Sequence, residues 1–232
     1  MYPTHPGSVT KPCPGYEVQI VDDHNVVLHD PNTLGRVVIK LPMPPSFMLT
    51  LWGNDEAFIQ KYLSDTPGYY TTGDAGIIDH NGYLHILTRI DDVINTCGHR
   101  LSTGRLEEVV NEHPQVVESA VVGHTDYIRG DCPVAFVILR GIQDTLTQAE
   151  KDKLTKEINE KVRSDIGPIA RLEGVIFVQK LPKTRSGKIL RGTIRKIVNL
   201  EEYKAPATID DPTTLDSIKE EAEKWVHAKN AL

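Results

Sequence analysis

Cysteine is scarce in this sequence of 232 residues: there are three, Cys13, Cys97 and Cys132, far apart and odd in number. That count argues against a disulfide framework and for a reducing compartment. Long apolar runs are missing too. None approaches the ~18 residues that cross a bilayer, and the stretch from Met1 to Gly15 has no apolar segment of the kind a secretory signal carries. Nor is there an excess of positive charge, since 26 Lys and Arg face 32 Asp and Glu for a net charge of −6. Bulk electrostatic binding to nucleic acid or to a membrane surface is therefore not expected. No repeat period or low-complexity tract stands out. What is there is ordinary for a globular protein: 39% hydrophobic residues, 17 glycines and 25% charged residues, enough for a core and for solubility. At roughly 100–200 residues per domain, the length allows one large domain or two small ones.

Local patterns predict an α+β chain. Tyr16 to Val21 and Arg36 to Leu41 are β-rich runs separated by turn residues, and the prolines Pro42, Pro44 and Pro45 then break the chain. A helix is expected from Asn54 to Leu63, with Asn54 as its cap and Asp55 and Glu56 in its first turn. Two short strands, Tyr69 to Thr71 and Ala75 to Asp79, flank a Gly73-Asp74 corner. The run Asp79-His80-Asn81-Gly82 reads as a type I′ hairpin turn returning through Tyr83 to Leu87. From Asp92 the texture changes to strand (Val93, Ile94), helix (Thr103 to Glu112), strands (Val116 to Val122 and Val134 to Leu139), long helix (Thr147 to Ile166), strand (Val175 to Val178) and a helix starting near Gly187. This predicts a β-rich segment over 1–90, a compact α+β domain over 91–204 and an acidic tail over 205–232 that ends in a short helix.

Charge is unevenly spread. Between Gly174 and Leu200 there is no acid, while Lys180, Lys183, Arg185, Lys188, Arg191, Arg195 and Lys196 are all basic, a local anion site in an acidic protein. Its centre, Pro182-Lys183-Thr184-Arg185-Ser186-Gly187-Lys188, is a glycine-containing loop that presents a lysine as a helix is expected to begin, an arrangement suited to phosphate. It is not a P-loop, which needs glycine where Pro182 stands and Ser or Thr where Ile189 stands. The plain alternative is a solvated basic loop. A second constellation, Tyr69-Tyr70-Thr71-Thr72-Gly73-Asp74, places an acid where it can accept two hydroxyl hydrogen bonds, as a ribose diol requires; a turn aspartate capping its own backbone is the commoner use. A third runs from Arg89 through Asp91, Asp92, Cys97, Gly98 and His99 to Arg100 at the expected domain junction, where polarity alone is also consistent with an exposed linker. Cys97-Gly98-His99 lacks companions spaced to complete a metal site, so no metal ligand is assigned.

The order and spacing of these three motifs resemble the C-terminal half of the AMP-forming acyl-CoA synthetases, members of the adenylate-forming superfamily, and most closely their acetyl- and propionyl-CoA branch. The likeness runs from about Pro6 to Asp211. It implies a β-rich terminal subdomain of the large adenylate-forming domain, followed by a small mobile α+β C-terminal domain. It implies activation of a short-chain carboxylate, acetate or propionate, with ATP to acyl-AMP, then thioester formation with CoA. By resemblance Asp74 matches the aspartate that binds the ATP and AMP ribose, with Arg89 backing it. Arg100, grouped with Asp74 and Arg89 for ATP and AMP binding, matches an arginine of the domain interface in the adenylation state, and Asp91 matches the hinge about which the small domain turns. Gly98 matches the glycine beside which the pantetheine arm of CoA threads, and Arg163 an arginine meeting the CoA 3′-phosphate. Lys188 matches the catalytic lysine that reaches the carboxylate and α-phosphate during adenylation. Mg²⁺ is implied through ATP, with no ligand in this chain.

Two positions depart from the family pattern: Thr88 stands where glycine is frequent before the hinge arginine, and Cys97 replaces a small Ala or Ser. The larger departure is that nothing in the chain resembles the family's phosphate loop, acyl pocket or adenine wall. The expectation is a piece of a synthetase that cannot form acyl-adenylate alone, lacks its N-terminal part, and exposes apolar surface where that part packs. Its partners are then small molecules, without nucleic acid or membrane, in the cytoplasm or mitochondrial matrix. Tyr69-Tyr70 and the Leu41 to Pro45 run lean toward the propionyl side. Two other readings compete: a stand-alone CoA- or nucleotide-binding interaction module, and a nucleic-acid module built on Gly174 to Leu200, which has Phe177 as its one aromatic for stacking.

Overall fold

The computed structural model describes residues 2–141 and 146–230. The chain divides into two compact units, Met1–Asp91 and Asp92–Leu232.

The first unit is a four-stranded antiparallel meander in the order β1 (Val18–Val21), β2 (Gly35–Lys40), β3 (Tyr69–Ile78), β4 (Leu84–Arg89). Helix α1 (Asp55–Tyr62) is inserted between β2 and β3, and Asn54 Oδ1 caps it by accepting from the Ala57 N–H at 3.1 Å. Alternation along the strands turns Ile20, Val37 and Leu84 into one small cluster, joined by Val18, Leu28 and Ile78. Leu49 and Trp52 remain largely or fully exposed, at 85% and 102%, and Met48 and Ile59 are also exposed.

Two expectations change here. The predicted corner at Gly73-Asp74 is part of one ten-residue strand, β3, which slips register against β4 between Ala75 and Gly76. A bulge absorbs the irregularity without ending the pairing. The β3–β4 turn is also not type I′. Gly82 takes positive φ, at 76°, but His80 and Asn81 do not, and Asp79 N–H meets the Tyr83 carbonyl at 2.9 Å across a three-residue loop. That is a turn closed by a glycine bulge.

In the second unit, a five-stranded sheet is covered on both faces. Strands β5 (Val93–Thr96), β6 (His99–Ser102), β7 (Val116–Asp126) and β8 (Gly130–Leu139) follow the spatial order β6-β5-β8-β7, and β9 (Gly174–Phe177) joins β8 in parallel. Along β8 the side chains alternate. Ala135, Val137 and Leu139 enter one core with α2 (Thr103–Asn111) and α3 (Gln148–Asp165), and Val134 and Phe136 enter another with α4 (Arg191–Val198) and α5 (Thr213–Asn230). Thr147 and Glu150 form a capping box at the start of α3.

Three elements differ from the sequence reading. β6 was not foreseen. The basic-loop helix begins at Arg191 rather than near Gly187, because Gly187 sits at φ 83° and Ile189 is bridged to Lys183. The tail helix is not short: α5 has 18 residues and buries Leu215, Ile218, Ala222 and Val226.

Candidate functional site

In the first unit the structure brings Asp74 and Arg89 together. They are register partners on β3 and β4, and Arg89 Nη1 donates to Asp74 Oδ1 at 2.7 Å. The Asp74 backbone N–H donates to Thr72 Oγ1 at 3.1 Å, and that hydroxyl donates to the Val37 carbonyl at 2.8 Å. Gly73 makes the arrangement fit. Its φ is 80°, and a Cβ there would stand 2.5 Å from Arg89 Nη2, so only glycine lets the guanidinium lie across the strand. The Asp74 side chain stays 30% exposed, which leaves carboxylate lone pairs for hydroxyl donors from outside.

Asp91 is exposed in a single turn of 3₁₀ helix, Ile90–Asp92, where the first unit ends. Gly98 and Arg100 share the β5–β6 hairpin. Cys97 and Gly98 form its two-residue tip with φ 51° and 82°, and Thr96 pairs with His99. This is the type I′ turn that the sequence reading placed elsewhere. A Cβ on Gly98 would meet nothing within 4 Å, so within this chain the backbone conformation, not crowding, selects glycine there. Arg100 is half-buried opposite Asn95.

Arg163 is exposed in the last turn of α3, in a shallow groove of about 460 Å³ shared with Lys156, Asn159, Glu160 and Arg171. Sequence reasoning missed Lys156 and Arg171, because Lys156 is two helical turns before Arg163 and Arg171 lies beyond the end of α3, and the three converge only after folding. Asp152 and Glu160 also line the groove, but among the described residues no acid forms an ion pair with Lys156, Arg163 or Arg171, so three cations against two acids leave it net positive.

Lys188 lies on a tight loop pinned from both sides. Thr184 N–H meets the Lys188 carbonyl at 2.8 Å, Lys188 N–H meets Thr184 Oγ1 at 3.1 Å, and Leu190 N–H meets the Pro182 carbonyl at 2.9 Å. On the outer side, Arg185 N–H bonds the Thr208 carbonyl at 3.0 Å and Asp210 N–H the Lys183 carbonyl at 2.9 Å. The basic run is largely neutralised in three dimensions. Lys183 pairs with Glu118, Arg191 with Glu107 and Arg195 with Asp131, at 2.7, 2.7 and 2.8 Å, and Lys180 approaches Asp211 at 4.0 Å. The exposed Lys188 ammonium has no acid partner among the described residues. No hydrogen bond or ion pair joins Arg163 to Lys188 among them either.

The AMP-binding enzyme C-terminal domain family matches residues 105–188. The chain is 43% identical to acyl-CoA synthetase short-chain family member B, mitochondrial, of Dictyostelium discoideum, over 96% of this chain and 32% of that protein. It is 45% identical to acyl-CoA synthetase short-chain family member 3, mitochondrial, of Mus musculus, over 93% of this chain and 31% of that protein. It superimposes on acetoacetyl-CoA synthetase from Streptomyces lividans with a TM-score of 0.76 and 25% identity, covering 96% of this chain and 33% of that one. The chain thus spans about a third of the length of the relatives it matches. On this match, this fold and these likenesses, the chain carries an AMP-binding enzyme C-terminal domain and is a relative of the short-chain acyl-CoA synthetases, which are ligases.

Proposed function

We propose that the chain is the C-terminal part of an enzyme that activates acetate or propionate with ATP to acyl-AMP, and then forms acyl-CoA with release of AMP. The observation that carries this reading is Lys188: an ammonium without an acid partner among the described residues, on a loop fastened through Thr184, Pro182 and Asp210. Charge builds on phosphoryl oxygens during adenylation, and a fixed ammonium stabilises it there without reorganising. Asp74, steadied by Arg89, accepts the ribose hydroxyls of ATP and AMP. Arg100 joins the nucleotide-bound state, and Asp91 is the pivot between the two half-reactions. In the second half-reaction the Gly98 tip lies along the pantetheine arm, and Arg163, with Lys156 and Arg171 beside it, takes the CoA 3′-phosphate. Mg²⁺ arrives on the ATP polyphosphate; no residue of this chain is assigned to it.

In this reading the phosphate loop, acyl pocket and adenine wall come from a preceding N-terminal part, which the exposed Leu49 and Trp52 help to receive. The protein works in the cytoplasm or mitochondrial matrix. The test is an assay of the complete protein with ATP, CoA and a series of carboxylates. AMP and thioester should form in equal amounts, fastest with acetate or propionate, and this chain alone should give no ATP–pyrophosphate exchange. Turnover without AMP, or exchange catalysed by the isolated chain, contradicts the reading.

A further inference from the structure

A second cluster of ligand-type side chains lies in the first unit, built from His5, Asp79 and His85. One oxygen of Asp79 is already occupied: Oδ1 accepts the backbone N–H groups of Asn81 at 2.8 Å and Tyr83 at 2.9 Å. Those bonds aim Oδ2 at two imidazoles, His85 Nε2 at 3.3 Å and His5 Nδ1 at 3.9 Å.

The His85 ring decides what this centre can hold. Its Nδ1 lies 3.2 Å from the Gly7 carbonyl, which only accepts, so the proton of the neutral ring is assigned to Nδ1. The Nε2 lone pair is then left pointing at a carboxylate. Two acceptors in that position call for a proton or a cation between them. A histidine whose far nitrogen donates to a backbone carbonyl is also the usual outer support of a metal ligand. His5 is held as firmly as an exposed stretch allows: its ring stacks on Tyr83 with centroids 4.9 Å apart, and the Tyr83 hydroxyl donates to the Pro3 carbonyl at 3.1 Å.

The three ligand atoms all lie within 4.8 Å of one another. Bonds of ~2.1 Å to a tetrahedral ion set ligand atoms about 3.4 Å apart, close to the separations seen from Asp79. Two imidazoles and one carboxylate suit a first-row divalent ion such as zinc better than magnesium or calcium. A further trio, Asp126, Cys132 and Glu173, has comparable spacing. However, Glu173 is already engaged by Arg129, Lys229 and His124, and burial pushes the Cys132 thiol up to about 11.

We propose that His5, Asp79 and His85 form a site for a zinc-type divalent ion that clips residues 3–10 onto the β3–β4 hairpin. The clip adds to two backbone bonds already made there, Val9 N–H to the Leu84 carbonyl and Leu84 N–H to the Thr10 carbonyl, each 2.9 Å. The full chain, stripped with a chelator, is titrated with Zn²⁺ by calorimetry and with Co²⁺ by visible absorption. One equivalent should bind, with the intense absorption of a four-coordinate cobalt centre, and Zn²⁺ should raise the thermal midpoint. His5→Ala and His85→Ala should each weaken binding at least about tenfold, whereas His24→Ala should not. His5 is on an exposed stretch, so its variant keeps the test decisive if the His85 variant folds poorly. No binding, or binding that survives both substitutions, overturns the proposal.

Discussion

Arg191 grips the carboxylate of Glu107 with two parallel bonds, Nε to Oε1 at 2.8 Å and Nη2 to Oε2 at 2.7 Å, across 84 residues of sequence. Glu107 Oε1 also accepts the Val121 N–H at 2.9 Å. The pair therefore ties α2, β7 and the first residue of α4 at one point, three residues beyond Lys188. Glu107 is the buried member, and its hydrogen bonds raise the Arg191 pKa against desolvation.

Removing one member strands the other. Arg191→Ala should destabilise the second unit by about 2–4 kcal/mol, below the full cost of breaking a buried pair because the guanidinium keeps some solvent. Glu107→Gln, which keeps an acceptor for Val121, should cost less, and combining it with Arg191→Met should recover part of the loss. Urea unfolding of the four proteins checks this; equal small effects would show the pair to be a surface contact in energetic terms.

His124 gives the stability a pH dependence near neutrality. Its Nδ1 lies between the Lys229 ammonium at 3.3 Å and Glu173 Oε2 at 3.2 Å, a donor and an acceptor that pull its protonation in opposite directions. Desolvation, then Lys229, lowers its pKa below 6.5, with Glu173 opposing. A lowered histidine binds fewer protons folded than unfolded, so its contribution is full above 6.5 and is lost as pH falls through the folded value. Unfolding free energy should thus rise with pH just below 6.5, and His124→Gln should flatten that limb. An unchanged slope would place the titration elsewhere.

Much of the fold was legible because local chemistry decides it. The Asn54 cap, the start of the long helix at Thr147 and the apolar run Val134 to Leu139 in β8 each rest on residues within a few positions of one another. What was not legible depends on distant partners. β6 is four residues, His99–Ser102, of which only Leu101 is buried, so no alternation announces it. The basic run looked like one anion site, but Glu118, Glu107 and Asp131, all remote in sequence, neutralise much of it. The length of α5 was hidden because its apolar stripe, Leu215 to Val226, is diluted by the charged residues of its outer face.

The hairpin tip offers a test that separates strain from a role with CoA. Gly98→Ala meets no steric neighbour but must adopt φ near 82°, a cost of about 1 kcal/mol for an L-residue. Stability should fall by that amount. If the tip lies along the CoA arm, thioester formation from acyl-AMP in the complete protein should fall far more than adenylation. Equal losses in both steps would reduce Gly98 to a turn residue.

The groove on α3 makes a parallel claim. Lys156→Ala and Arg171→Ala should each raise the KM for CoA severalfold while leaving the KM for ATP unchanged, and neither should alter the KM for a CoA lacking its 3′-phosphate. A uniform effect with both forms of CoA would separate these cations from the 3′-phosphate.

The most direct measurement of the central claim is the split between half-reactions in Lys188→Gln, made in the complete protein. ATP–pyrophosphate exchange with acetate or propionate should drop on the order of 10²–10³-fold, the scale of losing one preorganised charge donor, while thioester formation from supplied acyl-AMP stays near the wild-type rate. Exchange at the wild-type rate, or an equal fall in both half-reactions, would contradict the role proposed for Lys188 and with it the proposed place of this chain in an adenylating enzyme.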